Sequence, residues 1–108
     1  MMLGPPLLLA SDVVSITRYN GRVHTSNNSA NVRLRVIYQK SDDNRSLAVE
    51  CDSGSFYRAS EMPISEKSPV EILFEFNLEK GLYECTAILY RRNDKQFRTR
   101  ISVLMSYN

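Results

Sequence analysis

From residue 12 onward the dominant pattern is apolar and polar residues alternating with period two, the signature of strands with one dry face. Val14 and Ile16, with Arg18 in phase, predict a first strand that stops at Asn20-Gly21, and the polar run Thr25 to Ser29 reads as loop. Val32, Leu34, Val36 and Tyr38 alternate with Arg33, Arg35 and Ile37, and Ser41-Asp42-Asp43-Asn44 breaks that strand. Leu47, Val49 and Cys51 share the next inward face, closed by Asp52-Ser53-Gly54. Ser55 to Ala59 is expected to be a short edge strand, and Met62-Pro63 to Ser68-Pro69 a long connection. Val70, Ile72, Phe74, Phe76 and Leu78 stand at strict period two, which a helix would scatter over different faces. After Glu79-Lys80-Gly81, Tyr83, Cys85, Ala87 and Leu89 line another inward face. The turn formers Asn93-Asp94 then lead into Phe97, Thr99, Ile101, Val103 and Met105.

Six or seven strands with frequent turn signals and no helical window predict an all-β antiparallel sandwich of about seven strands. Composition agrees with one domain, since the chain has 108 residues, 43% of them hydrophobic, with four Phe and six Tyr for a core. Disorder is not expected at this hydrophobicity with a net charge of +2. That balance also argues against nucleic acid as a partner. Residues 1–11, which include Pro5-Pro6-Leu7-Leu8-Leu9-Ala10, read as a signal remnant or a disordered arm, and 12–108 as the domain. The apolar run is too short to span a bilayer, so membrane insertion is not expected.

Candidate chemistry is sparse. Cys51 and Cys85 both fall on inward faces and are either buried thiols or a disulfide, and only the disulfide speaks to compartment. Two cysteines and the lone His24 lack the close-paired spacing of a zinc site, and no cofactor is expected. His24 lies in a polar loop with no nucleophile signature near it, and Asp42-Asp43 reads as a solvated turn rather than a catalytic or calcium pair. Arg91, Arg92, Lys95, Arg98 and Arg100 form the one notable charge cluster. It is a candidate binding patch for an acidic partner, or a solvated face that pairs with the outward Glu84 and discourages edge pairing. Asn27-Asn28-Ser29 and Asn44-Arg45-Ser46 match the N-glycosylation pattern.

The run Leu78-Glu79-Lys80-Gly81-Leu82-Tyr83-Glu84-Cys85 resembles the entry to strand F of immunoglobulin-like domains. The resemblance implies that Tyr83 is a corner tyrosine whose hydroxyl bonds to backbone just upstream, with Gly81 as the turn residue. The chain has no Trp, and Cys51 falls on the third predicted strand rather than the second, so the fibronectin-like or bacterial sandwich is the nearer form. Asn44-Arg45-Ser46-Leu47 and Tyr57-Arg58-Ala59-Ser60-Glu61 are similar to small immunoglobulin-like domains of bacterial secreted and envelope proteins. Such a resemblance implies a secreted, periplasmic or envelope location and no particular activity. The expectation is a non-catalytic interaction module, not an enzyme, monomeric or weakly dimeric, meeting a protein or glycan surface. Its loops around Asp52-Ser53-Gly54 and Arg91 to Lys95 are the candidate contacts, and the alternative is a structural spacer or assembly domain.

Overall fold

The structure is a computed structural model that describes residues 13–19 and 29–106. Seven strands run in the order β1 (Val14–Tyr19), β2 (Ser29–Tyr38), β3 (Asn44–Asp52), β4 (Tyr57–Pro63), β5 (Glu71–Glu79), β6 (Gly81–Arg91) and β7 (Gln96–Met105). They form two antiparallel sheets, a three-stranded β1-β2-β5 and a four-stranded β4-β3-β6-β7. The fold is therefore the all-β sandwich that the alternation predicts. Asn20-Gly21, His24, Asn27-Asn28 and the N-terminal residues 1–11 lie outside the described residues.

The alternation explains the sandwich. Val32, Leu34 and Val36 of β2 face Leu47, Val49 and Cys51 of β3 and Tyr83, Cys85, Ala87 and Leu89 of β6 in one buried cluster. Tyr38 closes the β2 end, its hydroxyl donating to the Pro69 carbonyl at 2.7 Å, and burial raises its pKa above the ordinary phenol value. Arg18 is in phase with the core where β1 ends. Its Nη1 reaches the Leu104 carbonyl at 3.3 Å and so ties β1 to β7 across the two sheets.

Three expectations need adjustment. The fourth strand is Tyr57–Pro63, later than the Ser55–Ala59 expected, and Met62-Pro63 belongs to it rather than to the following loop. Every residue of this edge strand is exposed, so it carries no alternation to mark its bounds, and Pro63 sits at its end, where a missing N–H is tolerated. Val70 precedes β5 and is exposed rather than inward. On β7 only Val103 and Met105 are fully buried, while Phe97 and Ile101 pack against the core from its margin.

Among the described residues no helix is long and apolar enough to cross a membrane.

Candidate functional site

Three connections meet at one end of the sandwich, those joining β2 to β3, β4 to β5 and β6 to β7. They are fixed to one another by backbone and side-chain bonds. The Arg92 amide donates to the Asp43 carbonyl at 2.8 Å, and the Ile64 amide to the Arg45 carbonyl at 3.0 Å. Asn44 is buried between them. Its Nδ2 donates to the Gln39 carbonyl at 2.9 Å, and its Oδ1 accepts from Arg91 Nε at 3.3 Å. The Ser65 hydroxyl and the Ser68 hydroxyl each receive a backbone N–H, tightening the loop before β5. Between these loops lies an open polar bowl of about 490 Å³, rimmed by Asp42, Asp43, Ser65, Glu66, Lys67 and Arg92. It presents carboxylates, cations and a hydroxyl on a rigid base, which suits hydrogen bonding to a polar surface.

The five basic residues take different settings along the β6–β7 hairpin. Arg91 is half-buried and pinned, its guanidinium 4.8 Å from the Phe97 ring centre and bonded to Asn44. Arg92 lines the bowl. Lys95 closes the hairpin, its carbonyl accepting from the Arg91 amide at 2.9 Å. Arg98 and Arg100 point away from the core on β7, where Arg98 bonds Gln96 at 3.1 Å and Arg100 pairs with Glu84 at 3.2 Å. Alternation causes this split, because Arg98 and Arg100 stand out of phase with the inward residues Phe97 and Ile101.

Asp52-Ser53-Gly54 lies at the opposite end from the hairpin, since β3 pairs with Arg91 at its start and with Glu84 at its finish. That separation is roughly 25 Å at the usual rise per residue, so the two candidate loops cannot serve one small site. The loop is self-contained, with Gly54 at φ 90° and its amide on Asp52 Oδ1 at 2.7 Å. Beside it, Tyr57 is half exposed, and desolvation of its ring together with the Glu50 and Asp52 carboxylates raises its pKa.

No protein-family model matches the sequence, and no curated protein matches it either. The assignment of a site therefore rests on geometry. Tyr83 is 1% exposed and donates to the Glu79 carbonyl at 2.9 Å, and Gly81 between them adopts φ 153°. Cys51 and Cys85 are bridged, directly opposite in the β3–β6 register with Cα atoms 4.1 Å apart. The bridge thus links neighbouring strands of one sheet, at the close spacing of a non-hydrogen-bonded pair.

The Asn44 sequon is closed to modification in the folded state, because both ends of that amide are bonded and the residue is 3% exposed. Among the described residues no group of three or more His, Cys, Asp or Glu could hold a metal ion. No local pattern along the chain marks the bowl. Asp42-Asp43, Glu66-Lys67 and Arg92 are far apart in the chain, and only the sheet topology brings their loops together.

Proposed function

We propose that this protein is a non-catalytic interaction module of the cell exterior or envelope, meeting a protein or glycan surface with the bowl end of its sandwich. The observation that carries this reading is the tying together of the β2–β3 and β6–β7 loops by the Arg92–Asp43 and Arg91–Asn44–Gln39 bonds, with the β4–β5 loop anchored beside them by the Ile64–Arg45 bond, around mixed charge. Loops held this rigidly lose little entropy on binding, which favours recognition at a polar surface. The buried disulfide supports an oxidising compartment, where such bridges persist. The similarity of the Gly81-Leu82-Tyr83-Glu84-Cys85 run to immunoglobulin-like domains points the same way.

The test is a variant carrying Lys67→Glu and Arg92→Glu, both exposed on the bowl rim. Binding to arrayed glycans and to the intact surface of the host cell is compared with the unaltered protein, alongside urea melts. The expected outcome is binding reduced at least tenfold, a loss of about 1.4 kcal/mol, with the melt midpoint unchanged. Binding that survives the double reversal removes the bowl from the interaction. An absence of binding to either class leaves the spacer reading.

A further inference from the structure

The outer faces of the two sheets handle charge differently. On β2 and β5, Arg33 pairs with Glu75 at 3.5 Å and Arg35 with Glu71 at 2.6 Å, each across adjacent strands. Asn31 and Asn77 bond at 2.8 Å in the same ladder. That face satisfies itself.

On the four-stranded sheet, among the described residues, the acids that have no ion pair stand towards one edge and two arginines stand at the other. Residue rows can be read straight across it from the register. One row is Glu61–Ala48–Ile88–Arg98, the next Ala59–Glu50–Thr86–Arg100, and the next Tyr57–Asp52–Glu84–Ser102. Glu50, Asp52 and Glu61 thus stand on β3 and β4 and Arg98 and Arg100 on β7, while Glu84 of β6 is held by Arg100 and Arg45 of β3 lies over the Tyr90 ring. Glu61 and Arg98 are three strand spacings apart, roughly 14 Å, too far to pair within the molecule. Among the described residues Glu50, Asp52 and Glu61 make no salt bridge. Between the charged edges, Ala48 and Ile88 are buried although they point away from the core, so the centre of the face is low and uncharged. The exposed apolar side chains of this face are also split, with Tyr57 on β4 and the directly opposed pair Leu82 and Leu104 on β6 and β7.

We infer that this face is an interface for a second copy of the chain, in a symmetric dimer whose two-fold axis runs along the strands between β3 and β6. Such an axis lays β4 of one copy over β7 of the other. Glu61 then meets Arg98 of the second copy, twice by symmetry, and Glu50 approaches Arg100. Tyr57 falls beside Leu104, and the low Ala48 and Ile88 positions face each other at the centre. Asp52 falls opposite Glu84, whose charge is already met by Arg100. The other in-plane axis, across the strands, would set β7 on β7 and bring the arginines against each other, which like-charge repulsion disfavours. The charge pattern therefore selects one symmetric arrangement, with the same patch on both copies.

The footprint sets the class of interface. Four strands about 4.8 Å apart and about ten residues long cover roughly 600 Å² per copy. Twice that reaches only the lower edge of stable interfaces, about 1,200 Å², so association is expected to be weak.

Sedimentation equilibrium from about 10 to 500 μM tests this, with the bowl unaltered so that its interaction is not in play. The unaltered protein is expected to dimerise in that range, more weakly as salt screens the rim charges. Glu61→Arg and Arg98→Glu are each expected to weaken self-association at least tenfold, because each sets like charges together. A mixture of the two variants is expected to recover dimers, since every rim pair is then opposite in sign. A chain monomeric at 500 μM overturns the inference. So does a dimer that neither reversal weakens, or a mixture that stays monomeric.

Discussion

The hydroxyl of Tyr83 donates to the Glu79 carbonyl at 2.9 Å, and its ring is 1% exposed with an edge contact to Phe56, centroids 6.4 Å apart. Removing that hydroxyl leaves a partly buried carbonyl short of a donor while the ring packing is kept. Tyr83→Phe is therefore expected to lower stability by about 1–3 kcal/mol, read as a fall in the urea midpoint at unchanged slope. A midpoint equal to that of the unaltered protein would mean that water replaces the bond at no cost. Tyr83 is legible in the sequence because its acceptor lies four residues away, within a run that can be read locally. Tyr38 makes the same kind of bond to Pro69, 31 residues along, and alternation could place its ring inward but could not name its acceptor. Asn44 was less legible still. It reads as a turn residue or a glycan acceptor, and its burial follows only from Arg91 and Gln39 converging on it.

At the scale of elements, legibility follows burial. Strands β2, β3, β5 and β6 each have a dry face, so a period of two survives in their sequences. Strand β4 has none, and its bounds are set only by pairing with β3 from Ser46–Pro63 to Asp52–Tyr57. The β6–β7 turn lies between these cases. Asn93-Asp94 marks it, but the Arg91–Lys95 and Arg91–Asp94 backbone bonds enclose a three-residue loop, Arg92-Asn93-Asp94, with Asp94 at φ 64°. A loop of this length places its third residue in the left-handed region, where glycine is at ease and a β-branched residue is strained. Asp94→Gly is expected to stabilise by about 0.5–1 kcal/mol and Asp94→Val to destabilise by about 1–2 kcal/mol in thermal or urea melts. Equal stability for the two variants would show that the turn relaxes to another form.

At the scale of the molecule, the disulfide acts more on the unfolded chain than on the folded one. Strands β3 and β6 are paired along their length, with seven further residue pairs besides Cys51 and Cys85 in the ladder. The alternation put both thiols inward, but their pairing depends on β6 lying beside β3, a non-local fact of topology that no local pattern carries. What the bond adds is a restraint on the denatured ensemble across a separation of 34 residues, about 3–4 kcal/mol on the chain-entropy model. A domain of this size has only about 5–15 kcal/mol in total, so the reduced protein is expected to stay folded but near the margin. The double variant Cys51→Ala, Cys85→Ala is expected to lose that 3–4 kcal/mol, and reductant is expected to lower the unaltered protein to nearly the same urea midpoint. Both sulfurs are buried, so thiol alkylation should require unfolding as well as reduction. A loss below about 1 kcal/mol would mean that the denatured chain already holds these strands together, and the bridge would then give no reason to favour an oxidising compartment.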